Sequence, residues 1–501
     1  MLSNSLTGRF YPLCWRVKRG GGEIFRSLPA IAHLPSDFAQ NPAQAFIQLP
    51  IPGIPAAEGV LLCDLKSAFD VGLPYVPAPE NAPSNFPTDS EWEPQLNWYF
   101  QPAQPQRTLA EQAPISLHLI LRALGQLLGS LRPAVHRRAS SLPLQSWHCS
   151  ADGLTDAEFS QILGNLEGVI VSCPSDCNEA YRFNVREAVV DAQLVQRAEQ
   201  VAFLEEPIAT LLAEFCPGQA AFNAPDWQGA TLVVHAGAAS TELAVVCLPN
   251  GLHNLTHDDF KLRGFGYGEQ AFKQDIACQL LTPFIPPDQL GLDLGILPIP
   301  GEPDPTVRSQ LQRRLYRSPA GKMLLDASAY LQKALKQQER ITFEFGPYAC
   351  TFSQAAMDTK VTQPFVMRLN REISRLLGEA GVKREGIAQV LCTGSHATLP
   401  TIQAWLQKQL PQARWVGPGA QANAMETGAN AGFDAELDAG FDAEFDAEFV
   451  SHRIAYGLAN LPVYAQVLDR PQQQYSDYFL LMELLRSLPP RRSPVPKFWA
   501  I

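Results

Sequence analysis

The sequence predicts an α/β fold in which helices pack around partly parallel sheets. Three segments lead to this prediction: an apolar strand–turn–strand at Leu232–Val246, a strand followed by a helix from Gly168, and a strand–loop–helix at residues 387–403. Strands that alternate with helices tend to pair in parallel, because each helix carries the chain back to the edge of the sheet where the previous strand began.

The individual elements are predicted from apolar periodicity and from helix-start signals. Asp176 or Asn178 can cap a helix, and Pro207 suits the first turn of another. Leucines at helical spacing mark a further amphipathic helix. In chain order we expect a helix at 117–131, a strand at 168–174, a helix to about Val195, a strand at 201–205, a helix at 207–215, the two strands within 232–246, a helix-rich block at 306–340, a strand at 341–345, a helix from Phe352 through Leu377, and the strand–loop–helix at 387–403.

Other segments show little of this order. Residues 49–107 are rich in Pro, Ala and Asn, which is typical of an irregular, loop-rich subdomain. Residues 433–449 repeat an apolar–Asp–Ala unit of four residues that ends in Glu three times and in Gly once. The segment holds seven acids, which predicts a solvated surface insertion, with weak cation binding as the alternative. An amphipathic helix at 478–488 can dock on its own body or on a partner.

Composition narrows the class of protein. The 501 residues, 46% of them hydrophobic, are enough for two to four domains. A net charge of −11 makes nucleic acid an unlikely partner class, and no apolar window is long enough to span a membrane. Ten cysteines without a CxxC pair or a secretory leader predict reduced thiols and a cytoplasmic location. Cys173 and Cys177 fit buried thiols better than a metal site.

The turn between the two strands of 232–246 is the first candidate site. It consists of Gly237, Ala238, Ala239 and Ser240, residues small enough for backbone N–H groups to approach a phosphate closely. An ordinary hairpin is the alternative. Alanine also adds methyl groups where a phosphate turn would favour glycine and where a positive φ would favour it further.

Four segments, taken in order, resemble DnaK-type chaperones, the heat shock protein 70 family. Val169–Cys177 with the helix after it resembles a strand–helix unit of the family, and Leu204–Ala213 resembles its hinge helix. His235–Glu242 is similar to its second phosphate loop, and Val390–Pro400 to its adenosine loop. The resemblance covers about residues 20 to 462.

The resemblance implies an actin-like ATPase fold, with two lobes that each contain a ribonuclease-H-like core around a nucleotide cleft. It places lobe I at 1–222, with the irregular subdomain at about 36–106, and lobe II at 223–465, with the acidic insertion at 433–449. A final helix at 451–462 would pack back toward lobe I, and a helix with a Pro/Arg tail would follow at 466–501. ATP or ADP with Mg²⁺ would be the cofactor, and co-chaperone-like or other proteins the partners.

The resemblance also assigns site residues. Glu206 would be catalytic and would hold the metal through water, although a Glu at a helix start is also favoured by the helix dipole alone. Of the adenosine loop, His396 is expected to face solvent. The cofactor-binding positions would be Gly237, Ala238, Ala239, Ser240, Glu242, Gly268, Glu269, Lys333, Gly394 and Ser395.

Several family features are missing, which opens an alternative function. His235 replaces an aspartate, Ala329 and Gln332 replace the residues that clasp the nucleoside, and the first phosphate loop and the catalytic lysine are not found. The primary expectation is a nucleotide-binding conformational switch, at best a slow ATPase. The alternative is a pseudo-ATPase that serves as an interaction protein. A sugar kinase of the same superfamily fits less well, because no segment suggests its additional aspartate.

Overall fold

The computed structural model describes most of the predicted α/β region of the chain. The described residues are 1–4, 9–17, 24–28, 30–35, 59–62, 65–69, 95–96, 100–102, 115–132, 147–215, 229–248, 254–285, 291–345, 348–394, 396–416 and 452–468. The acidic repeat, the helix at 478–488, Ser395 and most of 36–106 lie outside them.

The strands of the described residues are mostly short, and the longest belong to the segments that sequence patterns singled out. In chain order they are β1 Leu2–Asn4, β2 Arg9–Tyr11, β3 Leu13–Val17, β4 Ile24–Phe25, β5 Ala32–Pro35, β6 Gly59–Leu62, β7 Gln95–Leu96, β8 Phe100–Pro102, β9 Ile115–Ser116, β10 Trp147–Ala151, β11 Val169–Cys173, β12 Val201–Glu205, β13 Ala230–Ala236, β14 Thr241–Cys247, β15 Phe260–Phe265, β16 Arg340–Phe345, β17 Tyr348–Ser353, β18 Ile387–Gly394 and β19 Arg414–Val416.

The helices follow the same order. They are α1 Leu117–Gly129, α2 Asp156–Gly164, α3 Glu179–Asp191, α4 Glu206–Ala213, α5 Glu269–Ile276, α6 Pro305–Arg317, α7 Pro319–Ala334, α8 Gln354–Met357, α9 Gln363–Ala380, α10 Pro400–Gln409 and α11 at 452–460. A π-helical turn, Asp358–Thr362, joins α8 to α9, and a 3-10 helix, Leu461–Val467, follows α11. None of the helices in the described part of the chain is both long and apolar enough to cross a membrane.

The chain divides into two compact units. The first contains the described residues within Met1–Pro12, Ile170–Asp176 and Phe203–Asp469, and the second those within Leu13–Val169 and Cys177–Ala202. In the second unit, β3, β4 and β10 form one sheet and α1 packs against α3. Asn184 on α3 donates to the carbonyl of Phe69 at 2.8 Å, and the Phe69 and Tyr181 rings meet edge to face.

The first unit is built on a five-stranded mixed sheet in the order β15-β14-β13-β18-β19. Strands β13, β14 and β15 are antiparallel neighbours, whereas β18 and β19 run parallel to β13. This sheet and its helices are compatible with an ATPase-like fold. Parallel neighbours need a crossover connection, and the chain between β13 and β18 supplies one that includes several helices.

Alternate residues of the central strands enter two cores, one on each face of the sheet. Leu232 and Val234 pack with α5 and α9 on one face, and Val233 packs with α4 on the other. Because the sheet is covered on both faces, β13 is apolar at most of its positions, with Thr231 and His235 as the exceptions. On the α4 face, Asn460 at the end of α11 donates to the carbonyl of Leu212 at 3.0 Å.

Most predicted elements are confirmed, and three differ. The helix expected from Phe352 begins at Gln354, because Cys350 and Phe352 alternate into the core as part of strand β17. Helix α3, capped by Asn178, stops at Asp191 rather than near Val195, since Gln193 adopts a positive φ of 56°. The segment predicted to be irregular contains the short strands β6, β7 and β8.

Replacing Gly394 with alanine is expected to destabilise the first unit. Its φ is +97°, and a Cβ there would collide with the backbone of Ala236 on the neighbouring strand. We expect Gly394→Ala to lower the free energy of unfolding by at least about 2 kcal/mol, which urea denaturation would measure. Gly378→Ala on α9 is the matched control, because its Cβ would meet no atom within 4 Å, and it should gain about 0.5 kcal/mol. Equal stability of the two variants would contradict this.

Candidate functional site

The predicted phosphate turn is a tight hairpin between β13 and β14. Ala236 pairs with Thr241, and the N–H of Gly237 donates to the carbonyl of Ser240 at 2.9 Å. The two residues at the tip, Ala238 and Ala239, are exposed, and neither has a positive φ. The concern that alanine would be strained here is therefore not borne out, since the turn needs no left-handed residue.

The backbone carbonyls and the backbone amides of this turn differ in whether they have hydrogen-bond partners. The carbonyls of Gly237 and Ala238 accept hydrogen bonds from the first amides of α5, those of Glu269 at 2.9 Å and Gln270 at 3.0 Å. The amides of Ala238 and Ala239 donate to no acceptor within the described residues. Two consecutive open N–H groups at an exposed tip are suited to an anion.

The N-cap of α5 is pressed against the same turn. A Cβ on Gly268 would lie 2.6 Å from the backbone carbon atoms of Ala238 and Ala239, so only glycine permits this approach. The Glu269 carboxylate pairs with Lys273 one turn along α5, at 2.6 Å. The two positions predicted to bind cofactor, Gly268 and Glu269, therefore support the turn through their backbone.

A buried carboxylate and an imidazole meet at the start of the turn. Glu206 is the first residue of α4 and is 6% exposed. Its Oε2 lies 3.9 Å from Nε2 of His235, and it would lie 3.6 Å from a Cβ on Gly237. The other ring nitrogen, Nδ1, is 2.9 Å from Oγ1 of Thr393. Thr393 was not singled out in the sequence, although it stands directly opposite His235 in the β13–β18 register.

A second carboxylate lies behind the turn. Glu242 is fully buried, and its oxygens accept from the Ser240 hydroxyl at 2.6 Å and from the Ser175 amide at 3.0 Å. Burial raises the pKa of this carboxyl, hydrogen bonding from Ser240 and Ser175 lowers it, and the negative charge of Glu206 raises it further. Ser240, predicted to bind phosphate, thus donates its hydroxyl hydrogen to Glu242. Ser175 is a site neighbour that sequence reasoning missed.

The predicted adenosine loop follows β18 and is anchored in the core. His396 is fully buried, stacked on Phe272 at 5.3 Å and edge-on to Phe365 at 4.8 Å. The expectation that it faces solvent is wrong, because the loop folds inward onto α5 and α9. Burial is the main cause that lowers the pKa of His396 to about 3, so the ring is neutral.

Two lysines near the end of α7 have different surroundings. Lys333, which the sequence singled out, is exposed. Lys336 is half-buried, and it interacts electrostatically with Glu269 and His396. Its pKa is lowered by burial, while Glu269 acts in the opposite direction. Of these two lysines, Lys336 is the one that interacts with residues of the candidate site.

The donor groups at the turn do not fit a magnesium site. Magnesium favours oxygen ligands in octahedral geometry. Both oxygens of Glu242 accept hydrogen bonds from protein groups, and the Glu206 carboxylate faces the His235 nitrogen. Within the part of the chain that the structure describes, no three His, Cys, Asp or Glu side chains converge as metal ligands.

The burial of His396 predicts a specific loss of stability in acid. Its folded pKa of about 3 lies below the ordinary value of about 6.5, so the unfolded chain binds the proton first and stability falls as the pH drops through that window. Between pH 7.5 and 4.5 the titration of this group should lower the free energy of unfolding by about 2–3 kcal/mol.

We expect His396→Phe to lose less stability than the wild type over that pH range, measured by urea unfolding at both pH values. His148→Gln removes an imidazole that lies outside the aromatic cluster around His396, at the surface pair with Asp156, and is the control for loss of a histidine as such. A His396→Phe profile indistinguishable from the wild type would contradict the burial of a neutral ring.

Comparison with known proteins finds one distant similarity. No protein-family model matches the chain. A protein named Chaperone protein HscA homolog, from Aeromonas hydrophila subsp. hydrophila, is 24% identical to it over 241 residues. These are 48% of this chain and 32% of that protein, so the match spans about a third of the relative's length. The similarity supports, at most, a distant relationship with the heat shock protein 70 chaperones.

Proposed function

We propose that the protein binds ATP or ADP with the phosphates at the hairpin turn, and that it hydrolyses ATP slowly or not at all. The observation that carries this is the pair of open amides at Ala238 and Ala239, on a turn whose carbonyls are held from behind by α5. Backbone N–H groups that converge on one point are a recurrent way of binding phosphate. The distant chaperone relationship supports the same ligand class.

The sheet order of the first unit supports the proposed fold. Three antiparallel strands followed by two parallel ones, in the order β15-β14-β13-β18-β19, is the arrangement expected of one ribonuclease-H-like core. The actin-like pairing of two such lobes, with boundaries at 1–222 and 223–465, is part of the proposal. Nucleotide-dependent movement between lobes would then be the output that a co-chaperone-like protein reads.

Slow or absent hydrolysis is proposed because the polar groups near the turn already have partners. Phosphoryl transfer depends on positioned charge and a positioned water. Glu206 faces His235 and Ser240 is bonded to Glu242, so neither is arranged to orient water at a terminal phosphate. The same two contacts favour the alternative, a pseudo-ATPase whose fold serves an interaction surface.

Calorimetric titration with ADP separates the two functions. Micromolar affinity, equivalent to about −8 kcal/mol, would support nucleotide binding, and an absence of binding up to millimolar ADP would favour the pseudo-ATPase.

The role of the turn is tested by Ala238→Pro, which removes one amide hydrogen at the first tip position, where proline is compatible with a turn. Losing a hydrogen bond to a charged group should weaken ADP binding about tenfold or more. Ala238→Ser keeps the amide and should bind as the wild type does. If Ala238→Pro binds equally well, the phosphates do not lie on these amides.

A further inference from the structure

The placement of His235 conflicts with a metal-dependent nucleotide site. Its ring is 13% exposed and lies beside Glu206 and Gly237 at the point where β13 enters the turn. We propose that this site binds nucleotide without a divalent cation, with the His235 imidazole filling the space beside Glu206 that a hydrated metal would need. The inference rests on the proposed function and specifies its ligand as the metal-free nucleotide.

Distances support this exclusion. A Mg²⁺ ion holds water at about 2.1 Å, and that water donates to a carboxylate at about 2.7 Å, so an ion bound through water sits about 4–5 Å from the carboxylate oxygen. Nε2 of His235 lies 3.9 Å from Oε2 of Glu206, which is within that radius. The imidazole ring therefore fills the space next to Oε2 of Glu206 where the ion and its bound water would have to lie.

The orientation of the ring is set by its other nitrogen. Nδ1 is 2.9 Å from the hydroxyl of Thr393 on the adjacent parallel strand. With Nδ1 held there, Nε2 points toward Glu206 and the turn. Moving the ring aside for a metal would break the contact with Thr393 in a position where the side chain is nearly enclosed, which carries an energetic cost.

The remaining carboxylate cannot take over as a ligand. Glu242 is fully buried and uses one oxygen for the Ser240 hydroxyl and the other for the Ser175 amide. Turning it toward a metal would take the acceptor away from the Ser175 amide and the Ser240 hydroxyl. The groups open to a phosphate are the amides of Ala238 and Ala239, which act without a metal.

The experiment compares ADP binding by the full chain, measured by calorimetry, in EDTA and in millimolar Mg²⁺. We expect the two dissociation constants of the wild type to agree within about twofold. His235→Asp adds a carboxylate beside Glu206, so its binding in EDTA should weaken at least tenfold relative to its own binding in Mg²⁺. His235→Asn introduces a side chain of nearly the same shape as that of His235→Asp but without its charge. This variant should again bind ADP equally in both buffers.

Each result has a separate meaning. Wild-type binding that is tenfold or more tighter in Mg²⁺ overturns the metal-free site while leaving nucleotide binding intact. An absence of ADP binding in both buffers overturns the proposed function itself. Equal wild-type affinities support the inference, and a magnesium requirement confined to His235→Asp shows that a carboxylate at this position creates a need for the metal that the wild-type side chain does not. Melting curves check that both variants fold, and the wild-type comparison remains decisive if one does not.

Discussion

The hydrogen bonds between the start of α5 and the hairpin turn are the constraint on which the candidate site depends. The first amides of any helix need acceptors from outside the helix. Here the carbonyls of Gly237 and Ala238 serve the amides of Glu269 and Gln270. Since those carbonyls are bonded to α5, the turn is fixed against the helix, while its own amides at Ala238 and Ala239 donate to no acceptor within the described residues. Gly268 is required because any side chain would separate the helix from the turn.

Helix α5 also connects the turn to the second candidate loop. Phe272, one turn beyond Gly268, stacks on His396, which belongs to the loop after β18. The two loops that the proposed function assigns to one nucleotide are therefore attached to the same helix. A ligand that contacts both would gain from this preorganisation, because little loop freedom is left to lose when it binds.

Two short polar networks surround the turn. Glu206, His235 and Thr393 form one, and Glu242 with Ser240 and Ser175 forms the other. Buried carboxylates need partners, and each network supplies them from within the protein. Glu206 and Ser240, whose residue types are common in catalytic sites, thus contact groups of the protein itself. Similarity of fold to an ATPase consequently says little about turnover, which depends on how these particular side chains are engaged.

The sequence by itself determined the elements whose signals are local. The apolar runs of β13 and β14, the small residues between them, the cap at Asn178 and Pro207 in the first turn of α4 all act within a few residues. Tertiary structure decided the rest. Whether Phe352 joined a strand depended on pairing with β16, and the burial of His396 depended on aromatic rings from α5 and α9. Thr393 meets His235 across 158 positions of chain, so only the parallel register could bring them together.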